Sequence, residues 1–258
     1  MGGKDLFSLA NKTAIVTGGG KGLGAQIAHG LAEAGANVVV CSRDIASCEK
    51  VSETLIEKGV QSKAFPCDVT KEEDIQFVID ETVKHFGSID ILVNNSGTSW
   101  MAPTLDLPAD KWDKVMNVNL RGLFLFSQRA ARVMMKQGYG KIINIASVTG
   151  MGGTDPKLMD TIAYNTSKGG VITFTKDLGV KLAPNNIQVN AIAPGLFPTK
   201  ITQGILEHSS PFIKEQIPAK RFGTEDDLKG AAVFLASEAS NYCIGHILVV
   251  DGGMTSLI

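Results

Sequence analysis

Thr13-Ala-Ile-Val-Thr-Gly-Gly-Gly-Lys-Gly-Leu-Gly24 is the stretch whose reading decides the fold. Thr13–Thr17 is β-branched and apolar, as a buried strand requires. It runs directly into glycines and then into the helical pattern Gly22–Ala34. Glycine at a strand-to-helix turn permits a tight turn and close backbone approach to a ligand. The N–H groups that open the helix have no intrahelical acceptor and can hold a pyrophosphate. Gly18, Gly22 and Gly24, with Lys21 and Leu23 between them, follow the spacing T-G-x-x-x-G-x-G rather than G-x-G-x-x-G. A lone glycine-rich loop is only a turn; at the exit of the first strand it reads as a nucleotide loop.

Outward from that loop, β-branched runs alternate with amphipathic ones. Strands are expected at Thr13–Thr17, Asn37–Ser42, Lys63–Pro66, Ile89–Asn94, Lys141–Ala146, Ile187–Ile192 and His246–Val250. Helices are expected at Gly22–Ala34, Ala46–Lys58, Lys71–Phe86, Lys111–Lys136, Ile162–Leu182 and Thr224–Ala236. Several strands are apolar throughout, as in a parallel sheet covered on both faces. The alternation implies right-handed βαβ units. No repeat or Pro/Ser linker divides residues 1–258, so the expectation is one α/β domain with a parallel, doubly wound sheet. One interval, about 196–222, breaks the rhythm with Phe197, Pro198, Gly204, Pro211 and Pro218 among apolar residues. Its length and its position after a strand predict a substrate lid.

Composition narrows the class. A net charge of −1 gives no electrostatic case for nucleic acid or membrane partners. Cys41, Cys48, Cys67 and Cys243 form no C-x-x-C pair, and the histidines are scattered, so no metal site is expected. The thiols fit a reducing cytoplasm, and Met1–Ala10 lacks the apolar stretch of a signal peptide.

The chemistry gathers around Tyr164-Asn-Thr-Ser-Lys168, with Ser147 at the end of an apolar strand. Tyrosine and lysine at i and i+4 share a helix face. A phenol ordinarily titrates near 10, and a nearby ammonium is expected to lower that value and make a tuned acid/base. The second strand ends Cys41-Ser42-Arg43-Asp44. Ser42 and Arg43 suit a 2′-phosphate where an acidic residue would suit a free ribose hydroxyl. With Lys21 as a second cation they favour NADP(H) over NAD(H); Asp44 argues the other way unless it caps the next helix.

Together these residues resemble the short-chain dehydrogenase/reductase family over nearly the whole chain. The matching motifs are Thr17–Gly24, Cys67-Asp68-Val69, Asn94-Asn95-Ser96-Gly97, Asn119 in N-V-N-L-R-G, Ser147, Tyr164/Lys168, Pro194-Gly195 and Asp251-Gly252-Gly253. The resemblance implies a seven-stranded parallel Rossmann sheet and a homotetramer. It implies that Tyr164 is the proton donor or acceptor and that Lys168 lowers its pKa and binds the nicotinamide ribose. Ser147 would bond the substrate oxygen, and Asn119 would hold a water feeding Lys168. Asp68 and Val69 would contact adenine, Asn95 and Gly97 would line the cofactor beside Pro194 and Gly195, and Thr199 would bind the carboxamide.

Two departures stand out: Ser96 replaces the usual alanine, and the segment from Ser147 to Tyr164 is longer than usual. Met151, Leu158, Ile162, Trp100 and Phe197 are the expected substrate-facing residues. The resemblance implies a carbonyl/alcohol oxidoreductase, read first as a ketoreductase of the 3-oxoacyl or a related type, its thioester free or on a carrier protein. The alternative is a sugar-acid or polyol dehydrogenase, as in gluconate 5-dehydrogenase, while the apolar residues expected near the pocket favour a substrate with some hydrophobic character. Gly138 and Asn185 stand where carrier-protein reductases often present basic residues, while Arg129, Arg132, Lys136 and Lys200 remain available; Lys157 and Lys200 are expected at the solvated surface. A non-catalytic dinucleotide sensor is disfavoured because Asn119, Ser147, Tyr164 and Lys168 are all present.

Overall fold

The computed structural model describes residues 2–3, 5–157, 159–199 and 213–257. Seven parallel strands are ordered β3-β2-β1-β4-β5-β6-β7. They are β1 Thr13–Thr17, β2 Asn37–Ser42, β3 Ser62–Pro66, β4 Ile91–Asn94, β5 Gly140–Ile145, β6 Ile187–Pro194 and β7 Ile247–Val250. The chain builds outward from β1 to β3, then returns to lay β4 on the other side of β1. The loops leaving β1 and β4 therefore diverge and open a crevice at the strands' C-terminal ends, where open α/β sheets bind ligands.

Side-chain alternation splits the core into two layers. Ala14 and Val16 face α1 (Gly22–Glu33), α2 (Ile45–Glu57) and α7 (Lys229–Ala236). Ile15 faces the opposite layer, built from α3 (Glu72–Phe86), α5 (Gly122–Gln137) and the C-terminal part of α6 (Ile162–Leu182). Burial on both faces explains why β1 and β6 carry no exposed residue. No helix among the described residues is long and apolar enough to cross a membrane.

Three expectations need correction. The helix expected over Lys111–Lys136 starts earlier, as α4 (Ala109–Met116), and widens into a π-turn at Asn117–Arg121 before α5. Within that turn the Asn119 side chain takes the N–H of Thr98 at 2.8 Å and donates to its carbonyl at 2.9 Å. The helix expected from Thr224 begins only at Lys229, because Asp227 captures the Thr224 N–H and hydroxyl while pairing with Arg221. Strand β4 begins at Ile91 rather than Ile89, since the Ile89 N–H goes to the Gln137 side chain. Of the expected lid, residues 200–212 lie outside the described residues.

Lys141, in β5, has its ammonium enclosed and donates to Asn241 Oδ1 at 2.7 Å. Burial lowers its pKa to about 8. The unfolded chain holds this proton up to pH ~10.4. Between pH 8 and 10 the unfolded state thus binds more protons, and the group's contribution to stability rises with pH. Measured by urea denaturation, wild type should gain about 2 kcal/mol on Lys141→Met across that window. A difference that stays flat with pH would contradict the burial of this charge.

Candidate active site

The crevice is built where β1 meets α1. Gly18 sits at φ +65°, and a Cβ there would lie 2.9 Å from Asn95 Nδ2. At Gly24 a Cβ would lie 2.3 Å from the Gly18 carbonyl, so the helix can start this close only with glycine. Asn95 locks the turn: its Nδ2 donates to the carbonyls of Thr17 (2.9 Å) and Gly18 (3.1 Å), while its N–H reaches Thr17 Oγ1 at 3.0 Å. The exits of β1 and β4 are thereby one unit. The N-cap residue of α1, Lys21, makes no side-chain capping hydrogen bond. A cleft of about 280 Å³ is lined by Gly18, Lys21, Gly22, Leu23, Asn95 and Gly97 together with Pro194, Gly195 and Thr199. A glycine cradle at a helix N-terminus fits the pyrophosphate of a dinucleotide.

At the tip of β2, Arg43 is exposed and the Ser42 hydroxyl bonds the backbone of Asp44. Asp44 caps α2 by accepting from the Ser47 N–H. It also pairs with Lys21 Nζ at 2.5 Å, which the sequence reading missed, so Lys21 is not an unopposed cation at this position. The Lys21 hydrogen bond holds the Asp44 carboxyl well below the usual carboxylate range. Asp68 and Val69 follow β3, outside the cleft lining. Burial disfavours the Asp68 carboxylate, but hydrogen bonds from Thr70 and the charge of Arg43 outweigh it and lower its pKa.

Ser147 follows β5, and Tyr164 and Lys168 stand one turn apart on α6. Lys168 is only 4% exposed, and its Nζ donates to the Ile145 carbonyl at 2.6 Å. Burial lowers its pKa to about 8. Burial also pushes the Tyr164 phenol upward, opposed by a hydrogen bond from Ser147. This differs from the expectation that Lys168 sets the phenol low. The ammonium is turned to Ile145 O and stands 5.6 Å from the Tyr164 ring centre, so the lowering comes from Ser147. Asn119 Nδ2 donates to Ser167 Oγ, whose hydroxyl donates to the Tyr164 carbonyl. Gly97 lies between Asn119 and Lys168: a Cβ there would be 3.6 Å from Asn119 Oδ1 and 3.8 Å from Lys168 Nζ.

A second cavity, of about 620 Å³, opens beside the cleft. Ser147 and Tyr164 border both, so the two spaces meet at these hydroxyls. Its lining includes the hydroxyl-bearing residues Thr98, Ser99, Thr149, Thr154, Thr161 and Thr255. The same lining includes the apolar side chains of Met101, Met159, Leu196, Ile213 and Met254.

The expected substrate-facing set is mostly displaced. Ile162 is exposed, because it stands two residues, about 200° of helix, from Tyr164. Met151 is exposed, and Trp100 is turned outward under the Lys111 ammonium. Phe197 is buried beside the cofactor cleft, and Leu158 and Lys200 lie outside the described residues. The long segment after Ser147 is clasped by a residue the sequence reading missed. Asn165 Nδ2 donates to Thr154 Oγ1 at 2.9 Å and its Oδ1 takes the Thr161 hydroxyl at 3.1 Å. Its signal was slight, an amide next to the tyrosine. Gly24→Ala should weaken dinucleotide binding by roughly tenfold or more, the cost of overpacking a closed turn. Fluorescence titration checks this, and unchanged affinity would remove the glycine loop from the binding site.

Residues 18–255 match the family model described as enoyl-(acyl carrier protein) reductase. The chain is 40% identical to the 5-keto-D-gluconate 5-reductase of Escherichia coli K12, over 97% of this chain and 98% of that protein. It is 38% identical to a 3-oxoacyl-(acyl-carrier-protein) reductase of Aquifex aeolicus, over 96% of this chain and 99% of that one. The crystal structure of a gluconate 5-dehydrogenase from Burkholderia cenocepacia J2315, in complex with NADP and tartrate, superposes with a TM-score of 0.93 at 37% identity, covering 99% of each chain. The chain belongs to the short-chain dehydrogenase/reductase family, oxidoreductases that interconvert a carbonyl and a secondary alcohol.

Proposed function

We propose that this chain is an NADP(H)-preferring ketoreductase of a polyhydroxylated carbonyl compound, a keto sugar or keto sugar acid. The observation that carries the reading is the meeting of the two cavities at Ser147 and Tyr164. A carbonyl oxygen entering from the larger cavity reaches both hydroxyls while its carbon faces the cleft. When bound, the dihydronicotinamide supplies the hydride for that carbon. Ser147 donates a hydrogen bond to the oxygen as charge develops there. Tyr164 Oη gives it a proton, and the resulting phenolate is supported by the nearby Lys168 charge. Ser167 and Asn119 hold the Tyr164 turn against the Thr98 segment. The elevated phenol is protonated at neutral pH, which favours reduction there; oxidation needs the phenolate and should rise with pH.

NADP(H) preference is supported by exposed Arg43 and by the absence of a carboxylate at Ser42, with Asp44 engaged as a helix cap. The hydroxyl-bearing residues of the larger cavity support the substrate class. The methionines, Leu196 and Ile213 in the same lining support a second reading, a 3-oxoacyl thioester. Against a carrier protein, Arg121 and Arg129 are both spent on Glu72, and Gly138 and Asn185 carry no charge. The chain acts as a single domain in this reading, and the homotetramer that the family resemblance implies is supported by the exposed Phe124 on α5. A cytoplasmic location is supported by four free thiols.

NADPH and NADH oxidation should be followed with 5-ketogluconate, other keto sugars and acetoacetyl thioesters. The expected result is a kcat/KM for a keto sugar or keto acid at least about tenfold above the thioesters, with NADPH preferred. Tyr164→Phe should lose roughly 10²-fold or more of that turnover while binding NADPH normally. A thioester preference would select the second reading, and near-normal turnover in Tyr164→Phe would refute the proton path.

A further inference from the structure

A serine hydroxyl has one proton to give and two lone pairs to receive. At Ser147 both lone pairs are addressed by one residue. The Thr149 N–H donates to Ser147 Oγ at 3.2 Å, and the Thr149 hydroxyl donates to the same oxygen at 3.0 Å. With its accepting capacity filled, Ser147 can only donate. Its hydrogen bond to Tyr164 must then run from the Ser147 hydroxyl to the phenol oxygen, because Thr149 already occupies both lone pairs. Thr149, Ser147 and Tyr164 all border the larger cavity.

The plainer role for this contact is local. Ser147 caps the 3₁₀ turn Val148–Gly150 through the Thr149 N–H. That backbone bond would form with any residue at position 149. The hydroxyl makes a second bond to the same Ser147 oxygen, and Ser147 borders both cavities. Threonine also restricts χ1, so the hydroxyl is held rather than sampled. Hydrogen bonds in series polarise one another, so a donor to Ser147 strengthens the bond that Ser147 gives.

We propose that Thr149 is a positioning residue that fixes Ser147 as a one-way hydrogen-bond donor, to Tyr164 in the substrate-free site and to the substrate oxygen once substrate is bound. The inference rests on the reading of Tyr164 as proton donor and acceptor. Without the Thr149 hydroxyl, Ser147 regains a lone pair. It can then accept the Tyr164 proton in a hydrogen bond, which favours the neutral phenol. Alcohol oxidation needs the phenolate, so its rising limb must move to higher pH. A neutral hydrogen bond contributes on the order of half to one pKa unit.

The test is the pH profile of kcat/KM for oxidation of D-gluconate, or of whichever sugar alcohol turns over fastest, with saturating NADP⁺. Thr149→Val and Thr149→Ala remove the hydroxyl, and Thr149→Ser retains it. The expected result is a limb shifted upward by about half to one pH unit in the Val and Ala variants, with Ser overlaying wild type. Binding of NADP⁺ should stay within about twofold in all three, a readout that general damage to the turn would move. Superimposable Val and wild-type profiles, a downward shift, or an equal shift in Ser would each overturn the role of the hydroxyl. Tyr164→Phe is measured in parallel. An inactive Tyr164→Phe with an unshifted Thr149→Val sinks only this inference. An active Tyr164→Phe, or a wild type silent on every sugar alcohol, sinks the catalytic reading and this inference with it.

Discussion

The 2.6 Å hydrogen bond from the Lys168 ammonium to the Ile145 carbonyl is the contact on which the site depends. Taking an ammonium out of water costs several kcal/mol unless its protons find acceptors. Ile145 is the last residue of β5, two before Ser147, and Lys168 is one helical turn after Tyr164. Satisfying the buried charge therefore draws α6 onto the end of β5 and sets the tyrosine opposite the serine. The approach is close: a Cβ on Gly150 would lie 2.5 Å from the Lys168 carbonyl carbon, so only glycine lets the helix pass. The same burial that positions Lys168 lowers its pKa and raises that of Tyr164. Both groups are thus moved away from the charged form, and Ser147 supplies the counterweight.

A second constraint joins this catalytic half to the nucleotide half. Asn95 ties the β4 exit to the glycine loop. Just below, Asn94 donates to Asn144 Oδ1 and Ser127 Oγ, and Asn144 donates to Thr175 Oγ1. Asn94 and Asn144 are register partners of β4 and β5. A buried polar chain of this kind is costly when incomplete and specific when complete. A one-residue slip would strand these amides, so the network fixes the level at which the two strand ends, and hence the two cavities, face each other.

How much of this was legible in the sequence follows from the range of the forces involved. Strands β1 and β2 carry uninterrupted apolar runs and were readable to the residue. The Tyr164–Lys168 spacing is a local helical relation and was readable too. The π-turn at Asn117–Arg121 was not, because its residues are as helical as their neighbours and the bulge is marked by Asn119 reaching Thr98, far away in sequence. The Lys21–Asp44 pair joins two loops and leaves no periodic trace. In the irregular segment after Ser147, choosing Met159 over Met151 as a wall needed the clasp at Asn165. The direction of the Tyr164 shift required the depth of burial, which spacing does not encode.

The fold thus supplies a cleft of glycines and helix N–H groups, a cavity lined by both hydroxyl-bearing and apolar residues, and a junction where Tyr164 and Ser147 border both. The central claim is that a hydride crosses that junction to a carbonyl carbon. Reduction of 5-ketogluconate with NADPH deuterated at nicotinamide C4, with the product read by mass spectrometry and NMR, tests it most directly. The account predicts one deuterium on the new carbinol carbon, transferred from one face of the ring only. Product free of deuterium, or label found in solvent, would contradict direct transfer and with it this view of the site.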